Sequence, residues 1–165
     1  MGMNRGILYL QNPLNQSCQN TILPQKQGLV FTENEPLLYQ AQAALQHARR
    51  KWDWLCVCAQ GHAACLALAL AAQLPVDRLA LIAPEWGAGG MRRELLRLRS
   101  YARRNLALIT AEILLLDAPE DLVRSLTRGN RHSRLCLLES FSEERLILPW
   151  EALAENNLLI RGKCV

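Results

Sequence analysis

Apolar and polar positions along the chain fall into two periods. Short apolar runs rich in strand-forming residues stand at 6–10 (GILYL), 55–59 (LCVCA), 79–83 (LALIA), 113–116 (ILLL) and 135–138 (LCLL), with a weaker one at 29–32 (LVFT). Longer stretches with helical spacing separate them. Leu38, Ala41, Leu45 and Ala48 recur at i, i+3, i+7 and i+10 and predict a helix over 37–51, with Pro36 at its start and Arg49, Arg50 and Lys51 against the negative end of its dipole. Residues 62–74 are apolar on nearly every side, which predicts a helix covered all round and stopped by Pro75. Leu95, Leu98, Ala102 and Leu106 make the apolar stripe of a helix over 91–106, entered through the glycine-rich joint at 87–90. A short helix over 120–128, a last one over 149–155 and an extended tail at 158–160 complete the pattern, and the polar stretch 12–28 reads as a loop.

This alternation of strand and helix predicts one domain over 1–165 of the α/β class, three layers built on a doubly wound, mostly parallel sheet. Half of the residues are hydrophobic, so the chain has a core to bury and is not a disordered one. Residues 1–16 hold too short an apolar stretch for an export signal, and no run reaches the roughly 20 apolar residues that cross a bilayer. The expectation is a soluble, cytoplasmic protein.

Composition narrows the chemistry. Of the six cysteines, at 18, 56, 58, 65, 136 and 164, four lie in apolar runs, where reduced cysteine packs as a small hydrophobe. Cys56, Cys58, His62 and Cys65 suggest a metal cluster at first sight, but zinc sites usually draw ligands from C-x2-4-C loops and knuckles. This spacing instead divides the ligands between a strand and a helix, and no metal or cofactor is expected. Residues 87–90 lack both the G-x-G-x-x-G spacing and the lysine of a phosphate loop. The net charge is +4, with sixteen arginines against three lysines and eleven of the arginines between Arg78 and Arg134. That balance is far from a dedicated nucleic-acid-binding chain, and neither interleaved aromatics nor a DNA-reading motif accompanies it. Arg92, Arg93, Arg97, Arg103 and Arg104 nevertheless collect on one helix, either as a solvated face or as a contact for an acidic partner, nucleic acid or an anionic membrane surface.

The segment 54–84, WLCVCAQGHAACLALALAAQLPVDRLALIAP, reads as a strand, a tight turn, a buried crossover helix and a second strand, the unit of a parallel sheet. Its turn resembles the nucleophile elbow of the α/β-hydrolases, whose pattern is G-x-S-x-G. Gly61 matches the first glycine and His62 the histidine often found before the serine, while Ala63 stands in the serine's place and Cys65 in that of the last glycine. The resemblance covers most of the chain in order and implies a minimal α/β-hydrolase-like core. It implies that Gln11-Asn12 replace the His-Gly that helps to build the family's oxyanion hole. It also implies that Asp121, with Asp117 second, holds the position of the catalytic acid after ILLL. The catalytic histidine should follow the last strand, but ESFS stands there, and the three histidines are His47, His62 and His132.

With two triad positions empty, the resemblance implies a hydrolase-like chain without the covalent chemistry. Such a chain is expected to bind a small molecule or a protein partner through a vestigial site of Gln11, Asn12, His62, Ala63 and Asp121. Ala63 is expected on a strained, exposed turn, and the arginine helix is expected over the elbow, where lids are inserted in the family. The residues themselves also support rival readings. His62 reads as a helix cap or as a ligand residue, and Asp117 and Asp121 as turn and helix-start residues or as catalytic acids. Cys65, one turn into the helix, reads as core or as a relocated nucleophile paired with His62.

Overall fold

The computed structural model describes residues 2–10, 26–29, 31–32, 34–87 and 89–161. Seven strands make one sheet: β1 (Arg5–Leu10), β2 (Lys26–Leu29), β3 (Trp54–Gln60), β4 (Arg78–Ile82), β5 (Glu112–Leu116), β6 (Leu135–Leu137) and β7 (Leu158–Arg161). Their spatial order is β2-β1-β3-β4-β5-β6-β7, parallel throughout except that β7 runs antiparallel to β6. The order reverses between β1 and β3, which is the topological switch point of an open α/β sheet. The tail expected at 158–160 is thus the antiparallel edge strand.

The helices are α1 (Leu37–Lys51), α2 (Ala63–Gln73), α3 (Arg93–Arg104), α4 (Glu120–Gly129), α5 (Glu143–Ile147) and α6 (Trp150–Asn156), with a 3-10 turn at Leu106–Leu108. Alternate strand residues divide between two cores. Leu8, Val57, Leu79, Leu81, Ile113 and Leu135 pack with α1, α2, α3 and α4 on one face. Ile7, Cys56, Cys58, Ala80, Leu114 and Cys136 pack with Leu146 of α5 and with Trp150 and Leu153 of α6 on the other. Helices therefore cover both faces, the three-layer arrangement that strand–helix alternation predicts.

α2 decides how the larger face is built. Every residue from 63 to 71 is buried. Leu66 and Leu70 share one side of the helix and Leu68 lies on the opposite one, and burying each contributes about 1.5–3 kcal/mol. The sheet covers one side, and α1 and α3 cover the flanks. α3 answers with Leu95, Leu98 and Ala102, and Leu106 completes the predicted stripe from the 3-10 turn. On α1 the buried positions are Leu37, Gln40, Ala41, Ala44, Leu45 and Ala48, so Leu37 rather than Leu38 opens the stripe. Gly6 of β1 has a specific reason to lack a side chain: a β-carbon there would stand 2.0 Å from the indole of Trp52.

Two elements differ from the sequence pattern. β2 lies at Lys26–Leu29 rather than 29–32, because charge rather than an apolar run sets its place. The Lys26 ammonium, almost wholly buried, donates to both oxygens of Glu143 on α5 at 2.7 and 2.9 Å, and the Tyr9 hydroxyl donates to the same carboxylate at 3.0 Å. α5 was not legible as a period, being only 5 residues long. It is set instead by its cap, with Ser142 Oγ accepting from the Arg145 amide at 3.3 Å.

The smaller layer is held by a buried guanidinium. Arg78, 1 % exposed, donates to Glu112 Oε2 through Nε (2.9 Å) and Nη2 (2.7 Å). Its Nη1 donates to the Leu146 and Leu148 carbonyls at 2.9 and 2.7 Å, while Arg5 Nη1 takes the Ile147 carbonyl at 2.8 Å. Three carbonyls at the end of α5 are thereby satisfied from β1 and β4. Both guanidinium carbons also lie 4.7 Å from the centre of the Trp54 ring. Replacing Arg78 with methionine leaves Glu112 and two carbonyls without their donor. It is expected to lower the unfolding free energy by about 3–5 kcal/mol, measured from urea midpoints. A loss below about 1 kcal/mol would show that α5 is held mainly by its apolar contacts.

Candidate functional site at the carboxyl edge of the sheet

Three neighbouring strands end on residues with left-handed backbone: Gly61 (φ 61°) after β3, Ala83 (φ 41°) after β4 and Asp117 (φ 51°) after β5. For a residue with a side chain this conformation costs roughly 1–2 kcal/mol, so Ala83 and Asp117 store strain that the hydrogen bonds around them must offset. The Gly61 amide donates to the Ile82 carbonyl at 3.2 Å, and the Ala83 amide to Leu116 at 2.7 Å. Each sharp turn is thus tied to the end of the next strand.

The Gly61 carbonyl accepts from the Glu85 amide at 2.9 Å and from Ala64 at 3.3 Å. That bond draws residues 84–86 back over the start of α2 and brings the Glu85 carboxylate onto His62 Nε2, an ion pair whenever the imidazole is protonated. The His62 side chain is 8 % exposed and that of Glu85 59 %, so the pair has one buried and one open member. The Trp86 carbonyl accepts from Arg99 Nε, and the Arg99 guanidinium stacks on the Trp86 ring at 5.4 Å. A cleft of about 380 Å³ opens here, lined by His62, Pro84, Glu85, Trp86, Pro119 and Asp121, with Gly87 and Gly89 at its rim.

The structure brings His62 and Asp121 to one cleft, but it does not link them. His62 pairs with Glu85, and Asp121 Oδ1 accepts from the amide of its neighbour Leu122 at 2.9 Å. Nothing in APEWG, residues 83–87, marks Glu85 as a residue that folds back across a turn. Asp117 stands exposed in its left-handed turn, outside the residues that line the cleft. Gln11 and Asn12 lie outside the described residues.

Ala63 requires a correction. It is 0 % exposed, opens α2 and packs in the core, while the left-handed residue between β3 and α2 is Gly61. By its backbone angle, the apex of this strand-to-helix turn is Gly61, two positions before the residue that the letters G-x-S-x-G select. At that apex there is no side chain at all. Ala59 and Ala63 then flank it as the small residues on either side.

Cys65 is also corrected as a relocated nucleophile. It is fully buried, its sulfur faces the Glu85 carbonyl at 3.8 Å, and burial pushes its thiol up to about 12 against a smaller opposing effect of Arg99. The suggested metal cluster does not converge, because Cys56 and Cys58 belong to the core under α5 and α6 whereas Cys65 belongs to the core under α1–α4. No group of three His, Cys, Asp or Glu able to hold a metal is found among the described residues.

The residues after β6 are structural. Ser142 caps α5, and Ser140 accepts from Arg145 Nη1 at 2.6 Å. His132 lines a separate cleft of about 390 Å³ at the amino ends of the strands, with Trp54, Asp77 and Glu112, and His47 is exposed on α1. Neither reaches the elbow's edge of the sheet. The lid expectation fails as well: α3 packs against α2 within the helical layer, and only the segment leading to it borders the cleft. Arg92, Arg93, Arg97, Arg103 and Arg104 are exposed on the outer side of that helix.

No family model matches the chain, and no curated protein matches it. A solved structure from work on LipS and LipT, two metagenome-derived lipolytic enzymes, matches over 84 % of this chain and 84 % of that one, with a TM-score of 0.59 and 13 % identity. At that identity the match concerns the fold. No helix among the described residues is long and apolar enough to cross a membrane.

Two outcomes are expected. Ala63→Ser places a hydroxyl in a packed core and should lose about 1–3 kcal/mol of stability in thermal or urea denaturation; an unchanged midpoint would return Ala63 to the surface. Raised thiols make stability fall with alkali. Cys56 and Cys65 stay protonated in the fold up to about 12, whereas the unfolded chain releases those protons near the ordinary value of 9.0. Their contribution is therefore complete below pH ~9 and lost as pH rises toward ~12, at about 1.4 kcal/mol per pH unit for each thiol. Urea midpoints that stay level across this window would contradict that burial.

Proposed function

We propose that this chain is a hydrolase-like domain that has lost acyl-transfer chemistry and uses the carboxyl-edge cleft to bind a small molecule or a short segment of a protein partner. The observation that carries the reading is the glycine at the apex of the elbow. A turn built to present a nucleophile presents none, yet the cleft above it keeps a buried imidazole, an open carboxylate and an aromatic wall. The absence of a histidine after β6 agrees with this, since a triad needs a base beside the nucleophile. Open α/β sheets bind ligands beyond the carboxyl ends of their strands, and this cleft has that position. The lipolytic activity in the description of the matched structure is a property of that protein, and the reading here keeps its fold without its reaction.

The test is a fragment screen on the isotope-labelled full chain, read by amide and indole shifts. Binders are expected to move the signals of His62, Glu85, Trp86 and Gly87. Glu85→Gln should weaken them several-fold without changing the unfolding midpoint by more than about 1 kcal/mol, because the carboxylate is mostly exposed. Binders that collect instead at the amino-edge cleft around Trp54 and His132 would overturn the assignment.

A further inference from the structure

The outer face of α3 is held in an arrangement that works against the helix itself. Arg93 and Arg97 are four apart and repel one another, as do Arg99 and Arg103. Arg92 and Arg93 stand at the positive end of the helix dipole, where a cation is disfavoured. Among the described residues, Arg92, Arg93, Arg97, Arg103 and Arg104 make no ion pair. The one acidic residue of the helix, Glu94, faces away from them and accepts from the Leu37 amide. Elsewhere the chain does balance such charges, as Arg124 and Glu120 do four apart on α4 at 2.8 Å. The stripe is rigid, because the opposite side of α3 is packed through Leu95, Leu98 and Ala102.

Helical spacing of 100° per residue brings Arg93, Arg97 and Arg104 into one row and sets Arg103 to one side of it, with the half-buried Leu96 between, while Arg92 precedes the helix as its cap. The 3-10 turn beyond the last arginine leaves Leu108 exposed at 58 %. Guanidinium groups suit phosphates of any origin, and the apolar residues decide between the sources. A leucine within the cationic face (Leu96) and an exposed one just beyond its end (Leu108) gain from the boundary between headgroups and acyl chains and gain nothing from a phosphate ribbon. Bases of a single strand would need exposed aromatic rings to stack on, and Tyr101, the aromatic of this helix, is half-buried.

We infer that the arginine face of α3, with Leu96 and Leu108, docks the protein on the surface of an anionic lipid bilayer. This docking is peripheral, and it is independent of what the cleft binds.

The experiment is co-sedimentation of the full chain with vesicles of phosphatidylcholine alone or with about one-third phosphatidylserine, at ~0.15 M salt. The chain should pellet with the anionic vesicles alone and be released in ~1 M salt. Replacing Arg93, Arg97 and Arg104 together by glutamine should lower partitioning about a hundredfold, at about fivefold for each arginine. Leu108→Ser should lower it several-fold while leaving retention on heparin unchanged, and Glu85→Gln should pellet like the natural chain. Equal pelleting with both vesicle types, or a triple variant that pellets normally while remaining folded by circular dichroism, would overturn the proposal. So would binding to a duplex oligonucleotide that displaces the vesicles and ignores Leu108→Ser.

Discussion

A helix without a polar face is the constraint from which this structure follows. α2 buries every residue from 63 to 71, so it cannot lie at a surface and must be enclosed on the sheet side and on both flanks. The parallel pairing of β3 with β4 supplies the floor, and α1 and α3 supply the walls. Charge is pushed to the outside of the walls, which is why α3 carries its arginines opposite Leu95, Leu98 and Ala102. The connection that enters α2 has little room, and it is there that the backbone turns left-handed at Gly61.

That turn separates architecture from chemistry. Left-handed turns at Gly61, Ala83 and Asp117 shape the carboxyl edge of the sheet, and the bond from the Glu85 amide to the Gly61 carbonyl folds a loop across it. What the edge then offers is the pair of His62 with Glu85, an aromatic wall and a carboxylate that bonds its own helix. These groups can orient a ligand and exchange protons with it. Among the described residues that line the cleft, none carries a hydroxyl or a thiol. Arg99, which grips the Trp86 carbonyl and ring from α3, makes one wall of the cleft continuous with the arginine helix.

The layers of this fold could be read from the chain because they rest on periodicity. The apolar runs at 6–10, 55–59, 79–83, 113–116 and 135–138 each hold a strand, and Leu95, Leu98, Ala102 and Leu106 are buried as their spacing requires. Features that rest on long-range electrostatics or on backbone angles could not. Lys26 found its place through Glu143, which is 117 residues away. Glu85 reached His62 only because the loop closed on Gly61. Ala63 is buried where the letters suggest an exposed turn, because a letter pattern carries no φ, and three small residues in a row, Ala63, Ala64 and Cys65, leave the register of the turn open. Cys56, Cys58 and Cys65 look close in sequence, but strand and helix send them to opposite faces of the sheet.

The function proposed for the cleft requires that the turn at Gly61 present no nucleophile. Its most direct test is the hydrolysis of activated acyl esters, a short and a medium p-nitrophenyl ester, by the purified full chain over a range of pH. The predicted result is a rate equal to that of buffer, the same for the natural chain and for His62→Ala. A rate above buffer that scales with protein, survives successive purification steps and disappears in His62→Ala would contradict it, and would mean that the cleft performs chemistry.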